Sequence, residues 1–170
     1  MEGRAVSKQL LVVYHSRTGG TRQLVQSLQD GARDGGASTT LRLLPAHEAQ
    51  VDDLLAADGY VFAAPENLAA LSGEMKEFFD RCYYGALDRI QGRPCALLVC
   101  AGSDGSAALQ QMRRITTGWR LQEVAEPFIA CTYAQSPEEI AAPKRMARTA
   151  LERCYALGSA MSLGLELGVF

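Results

Sequence analysis

Short apolar runs alternate with amphipathic segments along the whole chain. Four apolar runs predict strands at residues 10–15, 59–64, 94–100 and 127–133, and the alternating segment 38–44 predicts an edge strand that Pro45 closes. Helical periodicity marks residues 21–33, 51–57, 72–84, 105–115 and 136–163. The last of these segments begins with Ser136 as an N-cap, and Pro143 predicts a kink or a restart within it.

Five predicted strands that alternate with five predicted helices indicate a parallel sheet with helices on both faces. The run at residues 94–100 is apolar throughout, as expected of a strand that is covered on both sides. We therefore expect one doubly wound α/β domain over residues 1–170.

The composition and net charge of the chain narrow the classes of protein to which it could belong. Hydrophobic residues make up 48% of the chain and charged residues 21%, and the net charge is −2. This balance is typical of a soluble globular protein, without the basic stripe of a nucleic-acid-binding protein. The polar start resembles no signal peptide, and no segment has the apolar length of a membrane span. We expect a cytoplasmic protein that binds neither nucleic acid nor membrane.

The cysteines are scattered and lack the CxxC spacing of a redox or metal motif. Cys95, Cys100 and Cys131 lie in strand-like runs, where cysteine behaves as a small hydrophobic residue. His15 and His47 are the only histidines, so we expect no metal site.

The first strand runs directly into a loop of hydroxyl residues and glycines, followed at once by a helix. Ser16, Thr18 and Thr21 offer hydroxyl groups, Gly19 and Gly20 allow the backbone to curl, and the helix start offers unpaired N–H groups. The patterns GxxxxGK[ST] and GxGxxG are both absent. The loop therefore fits a single terminal phosphate, although a plain turn with a helix cap would give a similar pattern.

Three loops should meet at the carboxyl edge of the sheet, where doubly wound folds bind ligands. They span residues 16–21, 65–73 and 101–106. The second loop is long and largely apolar, which suggests that a flat apolar group covers it. Together the loops predict a nucleotide-like ligand with a planar head.

The same three segments resemble the flavodoxin-like superfamily. The sequence from Ser16 to Thr21 resembles its T/S-x-T-G-x-T phosphate loop, and Pro65-Glu66-Asn67 with the following helix resembles its FMN-dependent quinone and FMN reductase branch. The similarity extends over roughly residues 9–158. It implies a flavodoxin-like doubly wound sandwich, with a five-stranded parallel sheet in the order 2-1-3-4-5.

The resemblance also implies the residues that contact FMN. The phosphate would be held by Ser16, Arg17, Thr18, Gly19, Gly20 and Thr21. The isoalloxazine ring would lie along Pro65, Glu66, Asn67 and Leu68, with Gly102, Ser103 and Asp104 closing the other side. Two alternatives stay open: Asp104 as a turn residue that caps the next helix, and Glu66 in solvent.

At residues 68–71 the chain departs from the family that it resembles: members of that family often carry an aromatic residue and a glycine where this chain has Leu-Ala-Ala-Leu. The ring would lose a stacking partner, and alanine would restrict a loop that requires positive φ. An aromatic side chain from elsewhere could take the place of the missing one, from Tyr83, Tyr84, Trp119 or Tyr133.

The resemblance implies an oxidoreductase in which FMN carries the chemistry between NAD(P)H and a quinone or similar small acceptor. No proton-transfer residue is required, so His15 is interpreted as structural. The small, apolar C-terminal segment suggests a homodimer or higher oligomer, unless it covers the sheet. Two alternatives remain: a flavodoxin-type single-electron carrier, which the weak net charge disfavours, and a flavin-free binding or regulatory protein on the same fold.

Overall fold

The structure, a computed structural model, describes residues 6–170. The strands are β1 (Gln9–Tyr14), β2 (Thr40–Pro45), β3 (Gly59–Asn67), β4 (Ala70–Leu71), β5 (Pro94–Ala101), β6 (Gln122–Glu123) and β7 (Phe128–Cys131). The helices are α1 (Gly20–Asp34), α2 (Val51–Ala56), α3 (Gly73–Ala86), α4 (Ser106–Gly118), α5 (Pro137–Ala141) and α6 (Arg148–Leu167).

The main strands form a parallel sheet in the order β2-β1-β3-β5, and β6 and β7 share the position beyond β5. This arrangement confirms the predicted flavodoxin-like order 2-1-3-4-5, with β2 at the edge. The fifth strand position is divided because β6 pairs with the start of β5, at Pro94 and Cys95, whereas β7 pairs with its second half. The two-residue strand β6 was not predicted.

Helices cover both faces of the sheet. On one face α1 and α6 bury Leu24, Leu28 and Leu165 against β1, β3 and β5. On the other face α2, α3 and α4 surround a cluster that includes Met75, Phe78, Phe79 and Cys82 of α3. Much of the C-terminal segment thus packs on the sheet, although Phe170 and its neighbours at the end are partly or largely exposed. Within residues 6–170 no helix has the length and apolarity needed to cross a membrane.

Two predicted segments have a finer structure than expected. The segment over residues 136–163 is divided into α5 and α6, which confirms the restart predicted at Pro143, a residue that lacks the N–H group needed to continue a helix. The Ser136 cap is confirmed: its hydroxyl accepts from the Glu139 N–H, and the Glu139 carboxylate accepts from the Ser136 N–H. Residues 65–73, expected as an open loop, contain the antiparallel β3–β4 hairpin.

Candidate functional site

The phosphate-loop segment, residues 16–21, joins the carboxyl end of β1 to α1. Gly19 adopts the left-handed conformation with φ of 94°, which turns the chain into the helix. At Gly20 a Cβ atom would lie 2.7 Å from the Cys100 Sγ and 3.2 Å from the Met146 Sδ. A glycine is therefore required here for α1 to start directly against β5.

The backbone donors of this segment are free. Within the described residues, the N–H groups of residues 16–21 donate to no protein acceptor. The first helical donor that is satisfied belongs to Arg22, whose N–H group donates to the Ser16 hydroxyl oxygen at 3.2 Å. A row of unpaired N–H groups at a helix start is a site that favours an anion.

The Thr21 hydroxyl adds a buried polar group without a partner. Thr21 is 2% exposed, and its Oγ1 makes no hydrogen bond of good geometry with any described residue. Burial raises the pKa of the neighbouring Cys100 thiol to about 11, and the nearby Thr21 hydroxyl and Lys144 charge offset part of the rise. An unpaired buried hydroxyl costs about 1–3 kcal/mol, which a ligand oxygen would recover.

The second segment, residues 65–73, has more regular secondary structure than predicted. β3 continues through Pro65, Glu66 and Asn67, and a two-residue turn at Leu68 and Ala69 leads into β4. The Glu66 carboxylate, half-buried, accepts a hydrogen bond from the Gly105 N–H at 2.8 Å. Glu66 therefore does not lie free in solvent but joins the second segment to the third.

The turn of this hairpin carries backbone strain. Leu68 and Ala69 both have positive φ, of 52° and 59°, as a tight two-residue hairpin turn requires. Leu68 is also fully exposed. The expected conflict between alanine and a left-handed backbone is present, and strain of this kind concentrates at ligand sites.

The double variant Leu68→Asn with Ala69→Gly, which changes both turn residues, is expected to stabilise the flavin-free protein. Asparagine and glycine adopt positive φ at lower cost, so the free energy of unfolding should rise by about 1–2 kcal/mol. Urea denaturation of the variant and the native chain measures this difference. An unchanged or lower midpoint would contradict the assigned turn geometry.

The third segment, residues 101–106, lies beside β7. The Gly102 carbonyl accepts from the Tyr133 N–H at 2.7 Å. Ser103 and Asp104 are exposed, and the Asp104 carboxylate accepts from the Ser106 N–H at 3.2 Å. Asp104 thus makes the contact with the start of α4 that is expected if it is a turn residue capping the next helix.

His15 is held between two neighbours from the α3 start. Its Nδ1 lies 2.9 Å from the buried Ser72 hydroxyl, and its Nε2 lies 3.2 Å from the Glu74 carboxylate. Burial lowers the pKa of His15, although Glu74 opposes this effect. These contacts join the end of β1 to the start of α3 and agree with the structural role predicted for His15.

Of the four candidate aromatic residues, Tyr133 is the one whose backbone hydrogen-bonds to a predicted ring-site residue, Gly102. Tyr83 stacks on Trp119, whose indole N–H donates to the Tyr83 carbonyl, and Tyr84 packs edge-on against Tyr83. These three lie near the C-terminal ends of α3 and α4, about 15 Å along the helices from the carboxyl edge. Tyr133 is 71% exposed and adjoins Gly102, with an unusual φ of 59°.

Sequence reasoning missed one element of the site, the segment 142–147 between α5 and α6. The Lys144 N–H in this segment donates to the Thr18 carbonyl at 2.8 Å, and the Gln23 side chain bridges the two segments. No local pattern could indicate these contacts, because they join residues more than 120 positions apart.

The structure thus gathers the predicted segments at one edge of the sheet. Glu66 contacts Gly105, Gly20 packs on Cys100, and Tyr133 contacts Gly102. The free N–H groups and the unpaired Thr21 hydroxyl fit a phosphate group. Arg17 is exposed and forms no ion pair with any described residue, so its charge is available to an anion.

Known proteins are similar to this chain in sequence. The sequence profile of NADPH-dependent FMN reductases matches residues 42–135, more than half of the chain. A flavodoxin from Aquifex aeolicus is 33% identical over 108 residues, which cover 63% of this chain and 58% of that protein. An NAD(P)H dehydrogenase (quinone) from Archaeoglobus fulgidus is 28% identical over 94 residues, covering 42% of this chain and 49% of that protein. The chain therefore spans about half the length of these curated relatives.

Solved structures agree on the fold. A flavodoxin from the domain Archaea superposes with a TM-score of 0.74 at 14% identity, covering 92% of this chain and 98% of that one. A WrbA-like flavodoxin protein from Agrobacterium tumefaciens superposes with a TM-score of 0.70 at 20% identity, covering 95% of this chain and 99% of that one. With the sequence match over residues 42–135, the chain belongs to the NADPH-dependent FMN reductase family and has the flavodoxin-like fold.

Proposed function

We propose that this protein binds FMN and transfers electrons from NAD(P)H to a quinone or similar small acceptor. The observation that carries the proposal is the set of unpaired donors in the phosphate-loop segment, from the N–H groups of residues 16–21 to the buried Thr21 hydroxyl. Membership of a reductase family supports the choice of flavin and of a nicotinamide donor.

The residues divide into three roles. Ser16, Arg17, Thr18, Gly19, Gly20 and Thr21 would bind the phosphate of FMN through backbone N–H groups, hydroxyls and one guanidinium. Pro65, Glu66, Asn67 and Leu68 would line one side of the ring, and Gly102, Ser103 and Asp104 the other. When bound, FMN accepts electrons from NAD(P)H and passes them to the acceptor, so no protein side chain has to form a covalent bond.

The β3–β4 hairpin and the third segment would keep the ring in a fixed position. The Glu66–Gly105 hydrogen bond fixes the distance between the two segments, and the exposed side chains of Leu68 and Tyr133 offer apolar surface to a planar group. Tyr133 would supply the aromatic contact that the second segment lacks. A stacked aromatic contributes about 0.5–1.5 kcal/mol beyond burial.

One observation favours a second function, a single-electron carrier: the Aquifex aeolicus relative at 33% identity is named flavodoxin. A carrier would bind FMN in the same segment, and reduction by NAD(P)H would distinguish the two functions. The net charge of −2 offers little of the acidic field that steers a carrier to a basic partner.

Thr21→Val tests the phosphate site. The change removes a hydroxyl that makes no hydrogen bond with any described residue, so the unfolding midpoint of the flavin-free protein should stay the same or rise. FMN affinity should fall about tenfold or more, because a hydrogen bond to a charged group is lost. Fluorescence titration of FMN and thermal unfolding of the flavin-free protein measure the two quantities.

Thr116→Val is the matched control. Thr116 is also buried, at 3% exposure, but its hydroxyl donates to the Arg113 carbonyl at 3.1 Å in α4. This variant should lose about 1 kcal/mol of stability and keep its FMN affinity. If Thr21→Val binds FMN as tightly as the native chain, the phosphate does not lie in this segment.

A further inference from the structure

The segment between α5 and α6, residues 142–147, is called the strap here because it lies across the phosphate-loop segment. The Lys144 N–H donates to the Thr18 carbonyl at 2.8 Å, and the Met146 Sδ lies 3.2 Å from the position of a Cβ on Gly20. The Lys144 ammonium is not free for a ligand, because it donates to the carbonyls of Glu139, Ile140 and Ala142 at the end of α5. The strap therefore contacts the loop through its backbone and through packing.

The side-chain amide of Gln23 fastens the strap to the loop. Its Nε2 donates to the Gly19 carbonyl at 3.0 Å and to the Lys144 carbonyl at 2.7 Å. Its Oε1 accepts from the Met146 N–H at 3.0 Å. Both N–H bonds and the oxygen of the amide are used, and two carbonyl partners with one N–H partner define its orientation.

These contacts leave the binding groups of the loop free. Gln23 and the strap bond the carbonyl oxygens of Thr18 and Gly19, whereas the N–H groups of residues 16–21 have no partner within residues 6–170. The loop is therefore held in place through its carbonyl oxygens, and its N–H groups stay available to a ligand. Fastening of this kind prepares a site before the ligand arrives and reduces the ordering cost of binding.

We infer that Gln23 is a positioning residue, which holds the phosphate-loop segment in its donor-presenting shape and thereby sets the preference for FMN over riboflavin. The inference rests on the proposed function, since it assigns the loop to the phosphate of FMN. Gln23 itself need not contact the flavin. Its effect depends on the phosphate, because riboflavin has the same ring and ribityl chain without that group.

The test compares the dissociation constants of FMN and riboflavin for Gln23→Met, which keeps the length of the side chain but removes the three hydrogen bonds of its amide group. We expect FMN affinity to fall about tenfold and riboflavin affinity to stay unchanged, so the ratio of the two falls about tenfold. Gln23→Asn, which remains polar but is too short to span the loop and the strap, should give the same loss of ratio. If the Gln23→Met protein fails to fold, the Gln23→Asn protein provides the same comparison of FMN with riboflavin.

Gln26→Met is the matched control, since Gln26 lies on the exposed side of the same helix. It should keep both dissociation constants. Equal losses for FMN and riboflavin, or a lower unfolding midpoint with an unchanged ratio, would overturn the role assigned to Gln23. A native chain that shows no preference for FMN over riboflavin would overturn the phosphate site as well, and this result would appear before any variant is made.

Discussion

Gly20→Ala is expected to weaken FMN binding by about tenfold or more and to lower the free energy of unfolding by about 1–3 kcal/mol. The new Cβ atom would lie 2.7 Å from the Cys100 Sγ, 3.2 Å from the Met146 Sδ and 3.6 Å from the Lys144 Cβ. The thiol cannot move far, because Cys100 is a buried residue of β5 with a short side chain. The start of α1 must therefore shift away from the sheet and carry the phosphate donors with it.

Combining Gly20→Ala with Cys100→Ala separates this steric effect from other causes. Removing the Sγ opens space for the new methyl group, so the double variant should recover most of the FMN affinity lost by Gly20→Ala. Calorimetric titration of FMN into each variant measures the recovery. If both variants bind equally weakly, or if Gly20→Ala alone binds normally, the contact between α1 and β5 does not control the loop.

Gly158→Ala is expected to have the largest effect on stability, a loss of about 3 kcal/mol. Gly158 in α6 faces α1, and a Cβ atom there would overlap the Leu28 carbonyl oxygen and lie 3.0 Å from the Ala32 nitrogen. Backbone atoms cannot rotate away, so the two helices must separate and expose apolar surface. Because α1 also begins at the phosphate-loop segment, we expect FMN affinity to fall together with stability.

Gly73→Ala is the control for Gly158→Ala, because it adds the same methyl group at a position where the surrounding space is open. Gly73 is the first residue of α3, and a Cβ atom there meets nothing within 4 Å. Its free energy of unfolding should stay within about 0.5 kcal/mol of the native value. Denaturant unfolding of both variants decides the point, and a Gly158→Ala protein as stable as Gly73→Ala would contradict the close packing of α1 on α6.

The elements that carry a local pattern could be predicted from the sequence. The apolar run of β5 and the spaced apolar side chains of α3 predicted these two elements to within a few residues. The alternation of strands and helices predicted a parallel sheet, and the order of its strands was implied by the family resemblance alone. The phosphate-loop segment was also predicted, because hydroxyl residues and glycines between a strand and a helix are a local feature. Ser136 and Pro143 marked the start of α5 and the break before α6 for the same reason.

The contacts that could not be predicted depend on distant residues or on strain. The β3–β4 hairpin turns at Leu68 and Ala69, residues that rarely adopt positive φ, so the sequence indicated an open loop. Gln23 resembles any other polar residue on a helix until the strap is placed beside it. Glu66 was expected along the ring or in solvent, and only the structure revealed its contact with the Gly105 N–H.

The visible spectrum of the FMN-reconstituted protein tests most directly whether the protein is an FMN-dependent reductase, as we propose. The spectrum is recorded without oxygen, before and after addition of NADPH. We expect the spectrum of bound, oxidised flavin at first, followed by rapid loss of its visible absorbance when NADPH is added. Bound flavin that stays oxidised with both NADPH and NADH would contradict the reductase function, and failure to bind FMN would contradict the flavin site itself.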